Sequence, residues 1–185
     1  MLFGPAYVTT SRASGSSRTS GRSLGARDRA RHRVPGRGRA RLGDGRGYNA
    51  ELERAMVVGK PTDEMRRLFD HAVAAQDVAF DALRPGATCA SVDGAVMRYF
   101  ESNDLLPYRR RHTGHAIGLR NHEAPFLDVG DGTVVEPGMV FTVEPGLYDD
   151  SIGGFRHSDT VVVAEDGIEK LTDYPRDLDS LTIPG

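Results

Sequence analysis

The stretch HTGHAIGLRNHEAP, residues 112–125, contains His112, His115 and His122 among glycines and small or aliphatic residues, and His157 follows later in the chain. A single histidine on a strand is more often a satisfied core residue than a ligand. The glycines beside His115 let another backbone or a substrate approach closely, which favours a functional role. Because histidines alone define neither a metal nor a reaction, the rest of the chain must supply matching acidic groups.

Two further segments supply those acids. In GYNAELERAMVVG, residues 47–59, an alternation of period two predicts a strand with Glu51 and Glu53 on the same face, about 7 Å apart along the strand. In GMVFTVEPGLY, residues 138–148, Glu144 ends an otherwise apolar strand, where a carboxylate is costly to bury without a partner. Imidazoles and carboxylates together suit zinc, manganese, iron or cobalt. They suit acid–base catalysis or the binding of a cationic substrate equally well.

The order of the predicted elements indicates an α+β fold. Thr62 can cap a helix with apolar residues at helical spacing, which ends at the RPG sequence of residues 84–86. A second helix is predicted from Ser91 to Ser102, and glycine-bounded strands follow it. We therefore expect an antiparallel sheet covered by helices on one side.

Composition narrows the class of protein. The 185 residues are enough for one domain with a hydrophobic core, and 38% of them are hydrophobic. Without a run of eighteen apolar residues the chain is not expected to cross a membrane. Its single cysteine, Cys89, excludes an internal disulfide and indicates a reducing compartment such as the cytoplasm. We expect Cys89 to be a packing residue.

The first 46 residues differ in character from the rest. Residues 11–46 contain eleven arginines and two aspartates, a local charge of +9, which leaves −11 for the remainder of the chain. A segment with so few apolar side chains is predicted to be disordered. A nucleic-acid-binding tail, an organelle transit peptide and translation out of frame could each explain the composition. We favour the last, expect no nucleic-acid partner, and take residues 1–46 and 47–185 as separate units.

Three motifs in order give the chain a family resemblance. HTGHAIGLRNHEAP, VEPGMVFTVEPGLY and GGFRHSDTVVV resemble the pita-bread fold family of methionine aminopeptidases, Xaa-Pro aminopeptidases, prolidases and creatinase. The resemblance extends from Gly47 to about Arg176. It implies a partial pita-bread catalytic domain whose N-terminal part is incomplete.

The resemblance also implies roles for individual residues. The peptidases of this family bind two metal ions, such as Mn, Co or Zn, through two aspartates, one histidine and two glutamates. By motif, His115 and Glu144 match two of these ligands, and Glu51 replaces the second aspartate with a longer acid. His122 matches the histidine that contacts the substrate near the scissile bond. The implied function is metal-dependent hydrolysis of a peptide C–N bond, of the Xaa-Pro aminopeptidase or prolidase type.

Two of the five expected ligands are missing. Ser158 stands at the position of the last glutamate, and Ala40 at that of the first aspartate. One weakly held ion is therefore expected rather than a working dinuclear site. Two compensating frameshifts across roughly residues 12–46 would explain the missing aspartate. Translation of the same DNA in the other two frames tests that hypothesis.

Creatinase gives a second interpretation, because it shares the fold and works without metal. The sequence LERA, residues 52–55, resembles its pattern, so that Glu53 and Glu144 would bind a guanidinium-like cation as catalytic residues. Its general-base histidine comes from further upstream, where this chain has only His32. A third interpretation is a catalytically silent binding protein on the same scaffold.

The expected partners follow from these alternatives. They are a peptide or a small guanidinium or amide substrate, and a second copy of the chain, because relatives are often dimers. The tripeptide RRR, residues 109–111, could bind a substrate carboxylate, but a solvated loop is the more common outcome for such a run.

Overall fold

The structure is a computed structural model that describes residues 47–110 and 112–185, together with the backbone of residues 7–9. The expectation of disorder or out-of-frame sequence therefore falls outside the described residues, apart from one short strand. The helices are α1 (Asp63–Ala82) and α2 (Cys89–Ser102), followed by a 3-10 turn at Leu106–Tyr108. The strands are β1 (Tyr7–Thr9), β2 (Ala55–Val58), β3 (Gly114–Ala116), β4 (Glu123–Leu127), β5 (Val140–Val143), β6 (Gly146–Asp149), β7 (Gly153–Arg156), β8 (Asp159–Val163), β9 (Ile168–Lys170) and β10 (Thr182–Ile183).

Both predicted helices are present and begin at threonine caps. The Thr62 hydroxyl accepts a hydrogen bond from the Met65 amide at 3.2 Å, as the sequence predicts for the start of α1. Helix α2 begins two residues earlier than predicted, because the Thr88 hydroxyl accepts from the Ser91 amide at 3.1 Å. Cys89 is buried in the first turn of α2, so its packing role is confirmed, and burial raises its pKa to about 11.

The main sheet has five antiparallel strands in the order β4-β3-β5-β8-β9. Strand β3 pairs with β5 so that His115 lies opposite Thr142, and β5 pairs with β8. Helix α1 packs on α2 and contacts β5, β6 and β7. The core includes Leu68, Phe69 and Phe141, each exposed by 1% or less. Burial of each such side chain stabilises the fold by about 1.5–3 kcal/mol, so these contacts hold the helices against the strands that carry the site.

Two smaller sheets complete the described fold. Strands β6 and β7 form a hairpin in which Gly146 lies opposite Arg156. Strand β2 pairs with β1 antiparallel and with β10 parallel. No helix among the described residues combines the length and apolar character needed to span a bilayer.

The prediction of one long strand over residues 47–59 is wrong for most of that range. Only Ala55–Val58 form a regular strand, and Glu53 makes an isolated bridge with Ser158. Residues 47–52 instead follow the neighbouring strands through single hydrogen bonds, such as the Glu51 amide to the Thr160 hydroxyl at 2.8 Å. Glu51 and Glu53 nevertheless lie on the same side, as the predicted alternation requires.

The predicted strand over residues 138–148 is divided by Pro145. Strand β5 ends at Val143 and β6 begins at Gly146 in a different sheet. Proline has no amide hydrogen and cannot continue a ladder in the interior of a sheet. Glu144 therefore lies at the junction between the two sheets, rather than inside a strand.

Candidate metal and catalytic centre

Glu144 is the acid around which the candidate centre is built. Its amide donates a hydrogen bond to the Thr113 carbonyl at 2.7 Å, which fixes the backbone at the end of β5. Its Oε1 lies 3.4 Å from His115 Nε2 and 3.7 Å from His112 Nε2, whereas Oε2 lies 3.2 Å from Arg156 Nη1. Burial alone would raise the pKa of Glu144, but these neighbouring donors outweigh it and lower that pKa well below its usual range.

His115 is completely buried in the middle of β3. The adjacent Gly114 lets this strand lie against β5, since a Cβ there would be only 2.1 Å from the Thr142 carbonyl oxygen. The His115 Nδ1 donates to the Ala116 carbonyl at 2.9 Å, and its Nε2 faces Glu144. Burial opposes protonation of His115, but the Glu144 carboxylate and the Ala116 carbonyl raise its pKa overall.

His122 lies at the outer, exposed edge of the centre. Its ring stacks on that of His115, with centroids 4.0 Å apart and an interplanar angle of 27°. The Asn121 side chain is 3.1 Å from His122 Nδ1. One donor atom from each of His115, His122 and Glu144 lies within 4.8 Å of the other two. The structure thus brings these three predicted residues together.

Glu51 enters the centre from the irregular segment before β2. The hydroxyl of Thr160 donates to the Glu51 carbonyl at 2.9 Å, and the Asn121 amide donates to Glu51 Oε2 at 3.3 Å. Burial and the nearby Glu144 carboxylate raise the pKa of Glu51. Carboxylate oxygens of Glu51, Glu53 and Glu144, which we call the carboxylate cluster, all lie within 4.8 Å of one another.

Arg156 provides the positive charge beside the carboxylate cluster. Its Nη2 forms an ion pair with Glu53 Oε2, and its Nε donates to Glu53 Oε1 at 3.3 Å. Its Nη1 reaches Glu144, so that one guanidinium joins two of the three acids. Burial lowers the pKa of Arg156, but Glu144 and Glu53 outweigh this effect and raise it.

The sequence did not identify Arg156 as a member of the centre. Arg156 lies in the GGFRHS sequence two residues before Ser158, the position compared with a metal ligand, and this period-two spacing was the available signal. The sequence marks His112 as a candidate without a specific role, and the structure places its Nε2 3.7 Å from Glu144 Oε1. The spacing of three residues between His112 and His115, with Gly114 between them, is the local signal for this histidine.

One other candidate, His157, is a core residue. His157 is completely buried and packs edge-on against Phe69, with ring centroids 4.9 Å apart. Burial and the charges of Arg54 and Arg176 lower its pKa to about 3. Neither ring nitrogen of His157 has a hydrogen-bond partner among the described residues, and the same holds for the Ser158 hydroxyl. Burial and the two nearby arginines favour a neutral imidazole, and His157 belongs to none of the potential metal-binding groups found among the described residues.

The RRR sequence is only partly the solvated loop that its composition predicts. Arg109 Nη2 binds the buried carboxylate of Asp93 at 2.7 and 3.0 Å, and Thr113 Oγ1 donates to the same acid at 2.7 Å. Arg110 is exposed and pairs with Asp150 at the surface, whereas Arg111 lies outside the described residues. Arg109 is therefore a structural residue that supports the segment leading into β3.

The donors at His115 and Glu144 fit a divalent metal ion. A carbonyl only accepts, so His115 Nδ1 must carry the proton, and in the neutral ring Nε2 then presents a lone pair to Glu144. Two acceptors facing each other at 3.4 Å require a cation between them, either a proton or a metal. Ligand distances of about 2.0–2.2 Å, typical of zinc, allow one ion to contact both atoms.

Comparison with known proteins agrees with this geometry. A profile of metallopeptidase family M24 matches residues 42–165. The chain belongs to this family. Among curated M24 relatives, it is 36% identical to the Xaa-Pro dipeptidase of Pyrococcus furiosus over 131 residues, which are 71% of this chain and 38% of that protein. It is 37% identical to the probable dipeptidase PepE of Mycobacterium bovis over 134 residues, 72% of this chain and 36% of the relative.

Solved structures give the same assignment. Dipeptidase PepE from Mycobacterium ulcerans superposes with a TM-score of 0.72 at 34% identity, covering 76% of this chain and 38% of that one. The Xaa-Pro dipeptidase from Bacillus anthracis gives 0.70 at 36% identity, over 75% and 38% of the two chains. The fold is therefore the pita-bread fold of the M24 peptidases, and the family implies use of a divalent metal. The chain spans less than two fifths of the length of these relatives.

Proposed function

We propose that this chain carries the centre of a peptidase that hydrolyses a peptide C–N bond next to proline with the help of one divalent ion. The observation that carries the proposal is the pair of acceptor atoms on His115 and Glu144 that face each other at 3.4 Å, with His122 stacked beside them. The relatives named Xaa-Pro dipeptidases support the choice of bond. Mn, Co and Zn all accept this mixture of imidazole and carboxylate ligands.

Each residue has a distinct role in the proposal. His115 and Glu144 hold the ion through the two facing acceptor atoms, and Glu51 adds a third ligand from the carboxylate cluster. His122 is exposed and stacks on His115, so it can donate a hydrogen bond to the substrate carbonyl beside the ion. When bound, the ion would polarise that carbonyl and lower the pKa of a water. Glu144 remains ionised at neutral pH, as a ligand must.

One ion is proposed because the centre lacks a ligand that the family would supply. At the position of the last family glutamate the chain has Ser158, whose buried hydroxyl has no hydrogen-bond partner among the described residues. A serine hydroxyl contributes no negative charge toward a second dication. We therefore expect metal affinity and activity below those of a peptidase with the full ligand set.

Metal binding and turnover test the proposal together. The purified protein is titrated with MnCl2, CoCl2 or ZnCl2 and then given Xaa-Pro dipeptides, with release of proline as the measure. We expect His115→Ala and Glu144→Gln to weaken metal binding at least tenfold and to abolish turnover. We expect His122→Ala to lower kcat about a hundredfold while metal affinity changes little.

His71→Ala is the matched control, because His71 lies on α1 and its ring pairs with the Tyr99 hydroxyl at 2.8 Å, away from the centre. This variant should retain both binding and turnover. Wild-type protein that binds none of the three ions would contradict the proposal. Turnover that survives Glu144→Gln would contradict it as well.

One specific observation bears on the creatinase-like alternative. Glu53 and Glu144 do bind a guanidinium, but it belongs to Arg156. A substrate guanidinium would have to displace this buried side chain, which argues for the peptidase. Hydrolysis of creatine by metal-free protein would reverse the preference, whereas a protein that neither binds metal nor turns over either substrate would fit the silent binding module.

Two further expectations, the compartment and the oligomeric state, are part of the proposal. A reducing compartment, the cytoplasm, is supported by the free and buried Cys89. A homodimer is proposed from the family resemblance alone. Sedimentation of the purified protein at micromolar concentration would test the dimer, and a monomer under those conditions would exclude it.

A further inference from the structure

Arg156 binds two acids of the carboxylate cluster at once, although the sequence analysis assigned it no role. It is 9% exposed and lies at the end of β7, opposite Gly146. Three of its nitrogens contact carboxylate oxygens, two of them on Glu53 and one on Glu144. A guanidinium stays protonated at any pH at which the protein is folded. Arg156 is thus a permanent cation inside the cluster.

The two oxygens of Glu144 have different partners. Oε1 faces the lone-pair side of His115 at 3.4 Å, where an ion can bind. Oε2 faces Arg156 Nη1 at 3.2 Å, and Glu53 is held by the same guanidinium through both of its oxygens. Each oxygen on this second side gives one of its lone pairs to Arg156, which leaves less of its negative charge for an ion. For an ion bound on this side, Glu51 would be the one acid of the carboxylate cluster that has no bond to Arg156.

Charge also opposes a second ion. Three carboxylates whose oxygens lie within 4.8 Å of one another need positive charge nearby, since like charges at that distance raise each other's free energy. Arg156 supplies one positive charge and a dication at His115 supplies two. The three negative charges are then balanced. A second dication would add uncompensated positive charge within a few ångströms of the guanidinium.

We propose that the Arg156 guanidinium takes the place of a second metal ion at this centre, so that the centre holds at most one divalent ion. This inference rests on the metal site of the proposed function for the first ion, but its own content is the exclusion of a second. Removal of the Arg156 charge should open the carboxylate cluster to an ion. Arg156 is a positioning residue for the cluster and not a ligand.

The test compares charge at position 156 with matched variants. Free Mn²⁺ is followed by electron paramagnetic resonance while the full chain is titrated with MnCl2. Arg156→Gln keeps hydrogen-bonding ability and loses the charge, whereas Arg156→Lys keeps the charge. We expect R156Q to bind one more ion than wild type, or to bind Mn²⁺ at least tenfold more tightly, and R156K to behave like wild type. Glu144→Gln measures binding outside the centre, which is subtracted.

The outcomes separate this inference from the proposed function. If wild type binds none of Mn²⁺, Co²⁺ and Zn²⁺, the proposed function fails, yet a gain of Mn²⁺ binding in R156Q still supports the role of Arg156. If R156Q and wild type bind alike, the inference is overturned. If circular dichroism shows that the variants do not fold, the number of ions bound by wild type still decides whether the inference stands. Two ions per chain that are both lost in E144Q would overturn the inference, and one or none would support it.

Discussion

The neutral, buried His157 should make the fold sensitive to mild acid. Its pKa is lowered from 6.5 to about 3 in the folded protein, first by burial and then by the charges of Arg54 and Arg176. In the unfolded chain the ring takes up a proton near pH 6.5. The stability that depends on the neutral ring is therefore complete above pH 6.5 and is lost as the pH falls toward 3.

The size of the effect follows from the two pKa values. Each pH unit between them changes the free energy of unfolding by about 1.4 kcal/mol per proton. Between pH 7 and pH 5 the unfolded chain gains most of one proton at His157 while the folded protein gains almost none. The free energy of unfolding should fall by about 2 kcal/mol over that interval because of this residue alone.

Urea denaturation followed by far-ultraviolet circular dichroism at pH 7 and pH 5 measures this difference, since the chain has no tryptophan to report by fluorescence. The comparison is with His157→Leu and His157→Gln, which cannot titrate. Other groups, including His115 with its raised pKa, titrate in all three proteins and cancel in the difference. Equal pH dependence in wild type and both variants would refute a neutral buried His157.

Two further substitutions test the fold around the centre. Gly114→Ala should destabilise the protein by about 1–3 kcal/mol, because the new Cβ would lie 2.1 Å from the Thr142 carbonyl oxygen. Gly132→Ala is the control, since a Cβ at Gly132 meets no atom within 4 Å, and it should change the free energy of unfolding by less than about 0.5 kcal/mol in the same urea assay. Arg54→Met should cost about 3–5 kcal/mol, since it leaves the buried Asp159 carboxylate without its cation, and a loss under about 1 kcal/mol in thermal unfolding would contradict this.

The helices could be predicted because their signals are local. Thr62 caps α1 from three residues away, and apolar residues at helical spacing mark the buried face of this helix. His115 and Glu144 could be chosen because glycines flank one and an apolar strand precedes the other. Their contact was an inference from family resemblance, and it forms because β3 and β5 are hydrogen-bonded neighbours.

The remaining half of the centre depends on contacts that are distant in sequence. Glu53 meets Arg156 across 103 positions, so neither residue signals the other in a local pattern. His157 was a reasonable candidate by residue type, but only the packing against Phe69 reveals that it belongs to the core. The regular strand predicted at Glu51 failed because hydrogen bonds to Thr160 satisfy that backbone in another way.

The buried Arg54 links the acidic segment to the far end of the chain. Its guanidinium donates to the carbonyls of Tyr174 at 3.1 Å and Pro175 at 2.9 Å, as well as to the Ser158 carbonyl at 3.0 Å. Residues after β9 therefore hold the backbone that carries Glu53, although they lie outside the candidate centre. A protein shortened to end before Tyr174 would keep His115 in its strand, yet Arg54 would lose two of its partners beside Glu53, so the arrangement of the candidate centre depends on this tail.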